Sequence, residues 1–162
     1  MHRLAAPGDL PAIVAIYNST VASRMVTADL TPVSVESRRR WFEDHHPGSR
    51  PLWALERDGG IAAWLSFSSF YGRPAYDGTA EVSIYVDQCF RRQGLGADLL
   101  RAAIAHAPAI GVRTLLGFIF GHNLPSLGLF ERFGFERWGH LPGVAVLDEI
   151  ERDLVIVGRR VG

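Results

Sequence analysis

The 162-residue chain contains no lysine. All 17 basic residues are arginine, and 17 acidic residues balance them to a formal net charge of zero. Without lysine there is neither a phosphate-binding loop of the GxxxxGK(S/T) type nor a Schiff-base lysine. Without a positive excess, a dedicated nucleic-acid binder is disfavoured and no nucleic-acid partner is expected. The single cysteine, Cys89, excludes an internal disulfide and a CxxC metal or redox site. No apolar run approaches the roughly 18 residues of a membrane helix. The opening residues, Met1 to Pro7, show no apolar secretory core. The expectation is a cytoplasmic protein with no membrane partner.

What is present is ordinary globular composition. Hydrophobic residues make up 48% and charged residues 21%, which excludes wholesale disorder. The length suits one domain spanning 1–162.

Periodicity divides the chain into alternating elements. His2 to Ala6 is a short strand candidate, and Asp9 is a candidate N-cap. Leu10, Ile13, Val14, Ile16, Tyr17 and Val21 form a helical stripe. Residues 23–32 read as a loop or a ragged second helix. Residues 34–45 read as a helix capped by Ser34 or Ser37, with Arg38, Arg39 and Arg40 on its polar side and Trp41-Phe42 facing inward. Residues 51–56 and 61–70 are strands joined by a turn holding Asp58-Gly59, a strong hairpin signal. Thr79 to Val86 alternates, with Val82, Ile84 and Val86 on one face and Glu81, Ser83 and Tyr85 on the other. A turn, a helix over 97–107, a strand over 113–120, a helix over 123–133 and strands over 135–140 and 151–157 complete the order. This is a mixed α/β (α+β) sheet of about six to seven strands flanked by about four helices.

The most specific local feature is the turn from Asp87 to Gly96. A strand enters it and a helix N-terminus leaves it, with unpaired N–H groups and the positive end of the helix dipole. Gly94 and Gly96 let an anion approach the backbone, and Arg91 and Arg92 add charge beside it. A Rossmann fingerprint needs a third glycine or alanine where Leu99 stands. A ligand-free glycine-rich connection is the bland reading. The third reading is an R-x-x-G-x-G pyrophosphate loop.

The stretch Glu81 to Leu100 resembles the cofactor motif of the GNAT acetyltransferase superfamily. A second block follows at the expected distance: Asn123-Leu124-Pro125-Ser126-Leu127-Gly128-Leu129-Phe130-Glu131-Arg132-Phe133-Gly134-Phe135. It is similar to the family's N-x-x-S-x-x-L-(Y/H/F)-E-x-x-G-F pattern. Within the superfamily, Ala15-Ile16-Tyr17-Asn18, Trp41-Phe42 and Arg73-Pro74-Ala75-Tyr76-Asp77-Gly78-Thr79-Ala80-Glu81 resemble the phosphinothricin and methionine sulfoximine acetyltransferases.

The resemblance implies acetyl-CoA as co-substrate and no metal. It implies cofactor contacts from Ile84, Tyr85, Val86, Arg91, Arg92, Gln93, Gly94, Leu95, Gly96, Ala97, Asn123, Ser126 and Phe130. It implies a homodimer and a small amine or amino-acid acceptor. Glu81 matches the catalytic glutamate, placed to deprotonate the acceptor amine; otherwise it is a solvent-facing strand carboxylate. A backbone N–H near Tyr85 or Val86 is expected to meet the developing oxyanion. Arg73 and Tyr76 can hold an acceptor carboxylate or phosphinate; Met25, Val26 and Thr27 occupy the loop over the acceptor. Phe130 stands where family members carry tyrosine or histidine, and it cannot donate a proton.

Residues 146–153 depart from the group's pattern, and Asp148 falls at an acceptor-side position. Two other readings stay open: an acetyltransferase for a peptide N-terminus or polyamine, and a catalytically silent acyl-CoA-binding sensor. His45-His46, ahead of Pro47, are expected to face solvent, and Cys89 to be an unreactive thiol. The tryptophans are expected in core and pocket wall.

Overall fold

The computed structural model describes all 162 residues. Its elements are β1 (His2–Leu4), α1 (Leu10–Val21), α2 (Val35–Glu43), β2 (Leu52–Arg57), β3 (Gly60–Ser69), β4 (Thr79–Val86), α3 (Leu95–His106), β5 (Thr114–Phe120), α4 (Leu124–Arg132), β6 (Glu136–Leu147) and β7 (Ile150–Arg160). The expected mixed α/β order is therefore present, and residues 23–32 form turns rather than a helix.

The strands make one seven-stranded sheet in the order β1-β2-β3-β4-β5-β7-β6. Only β4 and β5 run parallel. A parallel pair needs a long crossover, and α3 supplies it. The alternation in β4 sends its two faces to different cores. Val82, Ile84 and Val86 pack with Leu99, Leu100 and Leu115 beneath α3 and α4. On the opposite face, Ile13, Ile16, Leu52 and Trp64 form a smaller core beneath α1 and α2. The Trp64 indole N–H donates to the Ile13 carbonyl at 3.1 Å and ties α1 to the sheet.

Local chemistry explains most boundaries. Ser34 caps α2 by accepting the Ser37 N–H at 3.1 Å. Asp58 and Gly59 both have positive φ, as a tight hairpin with this twist requires. Asp9 departs from its expected role. Its carboxylate makes no N-cap bond to α1; it accepts from the Ala6 N–H and from Arg3, at 2.7 Å each.

The last two strands are longer than the sequence pattern indicated. β6 runs on through Pro142-Gly143, because a register shift between Leu141 and Ala145 absorbs those residues. Asp148 and Glu149 then form a two-residue turn, both with positive φ. Asp-Glu is a poor sequence signal for such a turn, so the hairpin was not legible. His45 also departs from expectation. It is partly buried, its Nδ1 lies 2.8 Å from the Trp41 carbonyl, and burial lowers its pKa.

Candidate active site

The site begins where the sheet opens. Pairing between β4 and β5 ends at Glu81 opposite Leu116, yet β4 continues to Val86 and β5 to Phe120. The Gly78 carbonyl accepts from Thr114 on the β5 side, and the Asp87 N–H donates to Ala62 on the β3 side. Strand backbone groups alternate sides, so Val82, Ile84 and Val86 turn theirs toward β5. Ile84 and Val86 lie past the last paired residue, and their N–H groups face the gap. The expected donor near Tyr85 or Val86 thus narrows to Val86, with Ile84 beside it.

A cleft occupies this gap, walled by Val82, Ile84, Val86, Gly96, Leu129 and Phe130. Its polar end is the N-terminus of α3. Gly94 sits there at φ +81°, and α3 has no side-chain cap. The N–H groups of Leu95, Gly96 and Ala97 have no acceptor in the protein. They are the orphan donors of a first helical turn, aimed where an anion is favoured. Gly96 keeps the approach open: a Cβ there would lie 3.4 Å from Leu129 and 3.9 Å from both Ile84 and Val86. Arg91, Arg92 and Gln93 are exposed beside it. This donor set fits a diphosphate, and the apolar cleft fits the chain hung from it.

Glu81 lies on the other face of β4. It sits opposite Ser68 of β3, in a row with the pairs Ser66–Ser83 and Trp64–Tyr85. Burial pushes its carboxyl above the usual carboxylate range, against a smaller pull from the Ser83 hydroxyl. Tyr85 stacks on Trp64 at 4.5 Å, and burial pushes its phenol far up.

Beside this row is a second cavity, between α1, α2 and the sheet. It is lined by Tyr17, Arg38, Trp41, Trp64 and the three serines Ser66, Ser68 and Ser83. Ser83 and Tyr85 line both the cavity and the cleft. The two spaces therefore meet at β4, two residues beyond Glu81. Arg38, expected on the polar side of its helix, instead faces this cavity.

The loop after α1 closes over the junction. Val26 lines the cleft. Thr27 is buried, and its hydroxyl lies 2.5 Å from that of Tyr17. Tyr17 also donates to Asp29, which pairs with Arg38 at 2.9 Å. The carbonyls of Arg24 and Met25 are held by His122 and Asn123, at 2.8 and 3.0 Å. Asn123 additionally caps α4.

Other expected residues lie further out. Arg73 is exposed, ahead of a short turn at Pro74–Tyr76. Tyr76 packs edge-on against Phe70, which lies 6.3 Å from Phe118 of β5. Asp148, at the hairpin tip, pairs with Arg24 at 3.0 Å. Phe130 is buried against Gly117 and Phe135. Asp29, Arg38 and His122 carried no motif and were missed. The serines alternating with Leu65 and Phe67 in β3 were the available signal.

An opened parallel pair, a bare helix N-terminus beneath it and a half-buried glutamate beside it suit an acyl-transfer site. The model of the acetyltransferase (GNAT) family matches residues 14–135, and the chain belongs to that family, whose members use acetyl-CoA. "Putative phosphinothricin acetyltransferase YwnH" of Bacillus subtilis is 57% identical over 97% of this chain and 96% of its own. An L-methionine sulfoximine/L-methionine sulfone acetyltransferase of Pseudomonas aeruginosa is 36% identical over 88% of this chain and 83% of its own. The crystal structure of a phosphinothricin acetyltransferase from Sinorhizobium meliloti in complex with acetyl-CoA superposes with a TM-score of 0.94. It is 27% identical, over all of this chain and 88% of that one. No group of three or more His, Cys, Asp or Glu side chains is placed to share a metal ion.

Proposed function

We propose that residues 1–162 act as one N-acetyltransferase domain. It moves an acetyl group from acetyl-CoA to the amine of a small amino-acid-like acceptor of the phosphinothricin, methionine sulfoximine or methionine sulfone type. The observation that carries this reading is the meeting of cleft and cavity at Ser83 and Tyr85, next to Glu81. Two reactants held in adjoining spaces react as one molecule, which removes roughly 7–11 kcal/mol of barrier at best.

Acetyl-CoA, when bound, supplies a thioester carbonyl. The orphan N–H groups of Leu95, Gly96 and Ala97 hold its diphosphate, with Arg91 and Arg92 alongside, and Ser126 and Phe130 bound the cleft. Glu81 accepts the proton of the acceptor amine, directly or through a water. Its raised pKa brings it nearer the working pH of a base. The N–H of Val86, with Ile84 beside it, donates to the carbonyl oxygen as charge develops there. Phe130 has no proton to give, so the thiolate leaves unassisted or takes a proton from water.

Met25 and Thr27 cover the acceptor, while Arg73, Tyr76 and Asp148 border it from surrounding loops. A homodimer agrees with the exposed apolar side chains that the outer hairpin carries on its two faces, Val144 and Val146 on one and Trp138 and Ile150 on the other. A cytoplasmic location agrees with the absence of any helix able to cross a membrane.

The test is thiol release from acetyl-CoA against phosphinothricin, methionine sulfoximine, methionine sulfone, polyamines and short peptides, with Glu81→Gln in parallel. Turnover of the amino acids, lost in Glu81→Gln while acetyl-CoA still binds, supports the reading. Turnover confined to peptides or polyamines replaces the acceptor class. Acetyl-CoA binding with no turnover at all replaces the enzyme with a sensor.

A further inference from the structure

The β3–β4 ladder ends at Ser69 opposite Ala80, and residues 70–79 leave that ladder as the loop that carries Arg73 and Tyr76. The return of this loop into β4 is held from two sides. On the β5 side, the Gly78 carbonyl accepts from the Arg113 and Thr114 N–H groups, at 2.8 and 3.1 Å. Strand carbonyls alternate, so those of Asp77 and Thr79 turn the other way, where β3 has already ended. Arg50 stands in for the missing strand. Its Nη2 donates to the Asp77 carbonyl at 2.9 Å and to that of Thr79 at 3.4 Å.

The residues around Arg50 fix where its guanidinium can reach. His46 and Arg50 exchange main-chain hydrogen bonds at 3.0 and 2.8 Å, closing the turn His46-Pro47-Gly48-Ser49-Arg50. The next residue, Pro51, is fully buried, and its carbonyl accepts the Phe67 N–H of β3 at 3.0 Å. The Arg50 backbone is thus anchored beside β3 rather than to the loop it holds.

Packing alone does not account for an arginine here. Arg50 is partly buried, and its Nε is shut off from solvent with no acceptor. All its hydrogen bonds go to main-chain carbonyls, the third being that of Ser49 at 2.8 Å. Burial lowers its pKa, and the Asp77 charge offsets this only in part. A cation drawn out of water without a paired carboxylate carries a cost that a neutral side chain of similar length would not.

We propose that Arg50 is a positioning residue that holds the loop bearing Arg73 and Tyr76 at a fixed distance from Glu81. The proposal rests on the acetyl-transfer reading above. Arg73 lies four positions before Asp77, and Glu81 two positions after Thr79. Arg50 bonds to neither; it grips the stretch of chain between them.

The test compares Arg50→Met with the native protein in kcat/KM for methionine sulfone, in thermal unfolding, and in main-chain hydrogen exchange read by mass spectrometry. kcat/KM should fall about ten- to hundredfold, the scale on which misplaced reactants are felt. Acetyl-CoA should bind as before in a direct titration, since Arg50 does not line the cleft. The unfolding midpoint should hold or rise, because an uncompensated charge is removed. Exchange should quicken across residues 76–81 and stay unchanged in β2.

An unchanged kcat/KM overturns the proposal, and so does unchanged exchange. A loss of activity matched by a lower midpoint and weaker acetyl-CoA binding also overturns it, since a general structural role predicts that pattern. Should Arg50→Met not fold, Arg50→Lys replaces it: an ammonium lacks the planar fork, so the same changes should appear in smaller measure, and their absence overturns the proposal. Quickened exchange in the variant, with methionine sulfone left unacetylated by the native protein, would sink the enzymatic reading for that acceptor and leave the hold of Arg50 on the loop standing. Turnover in both proteins with equal exchange would do the reverse.

Discussion

The side-chain amide of Asn123 donates to the main-chain carbonyl of Met25 at 3.0 Å, across a separation of 98 positions in the chain. The same side chain's oxygen accepts the Ser126 N–H and caps α4. One residue of the second motif thus fixes both the helix beside the cleft and the loop that follows α1. Its neighbour His122 holds the preceding carbonyl, that of Arg24.

Asn123→Ala should therefore have two separable effects. Loss of the cap should cost about 0.5–2 kcal/mol of stability, read by thermal or denaturant unfolding. Release of the loop should raise the acceptor KM more than the acetyl-CoA KM. Equal changes in both would mean that the amide serves the cofactor instead.

Glu81→Gln should lower kcat by roughly 10²–10⁴-fold while leaving acetyl-CoA binding in place, measured by direct titration. In the native protein, activity should fall as pH drops through a pKa above the ordinary 4.5, because only the carboxylate accepts a proton. That limb should be absent from the residual activity of the variant.

The same residue makes a stability prediction of opposite sense. A carboxyl whose pKa is raised in the folded state binds more protons folded than unfolded. Native stability must then decline as pH rises from about the unfolded value through the raised one. Glu81→Gln should equal or exceed the native protein in stability at neutral pH, with the gap closing toward pH 4. Unfolding midpoints across that range decide it.

Gly117→Ala should damage both packing and the cleft. A Cβ there would lie 2.8 Å from Phe130 Cε1 and 3.0 Å from Val157. The overpacking should cost about 1–3 kcal/mol. It should also raise the acetyl-CoA KM, since Phe130 lines the cleft. Adding Phe130→Leu should recover part of the stability, which a calorimetric comparison of single and double variants would show.

Replacing Arg91 and Arg92 together by alanine should raise the acetyl-CoA KM by about ten- to hundredfold, with little change in the unfolding midpoint, because both side chains are exposed. The difference should shrink in roughly 0.5 M salt, where exposed charges are screened. A salt-independent effect would point to backbone distortion at Arg92, whose φ is +63°.

Much of this was legible in residue order. Alternation in β4 assigned Val82, Ile84 and Val86 to one face and Glu81, Ser83 and Tyr85 to the other, as found. The Asp58-Gly59 turn and the glycine-rich start of α3 were legible because tight turns and bare helix ends demand particular residues. The parting of β4 from β5 was not, since apolar strands that pair and apolar strands that separate look alike. Nor was the second cavity: Arg38 comes from one helix, Asp29 from a loop and the serines from two strands. Only packing unites them. The β6–β7 hairpin was missed because Asp148-Glu149 lacks the glycine or asparagine that usually marks positive φ.

The sheet acts as a partition. The bare N-terminus of α3 lies on one side, and the serine row with its Arg38–Asp29 pair lies on the other, joined through the single strand β4. On the proposed reading, substitutions in α1, α2 and the loop between them should retune which amine is chosen while the acetyl donor's seat stays intact. A lineage with this partition can change diet without relearning how to hold its fuel. Asn123 and its neighbour His122, which reach across the divide, and Ser83 and Tyr85, which line both spaces, constrain both sides at once.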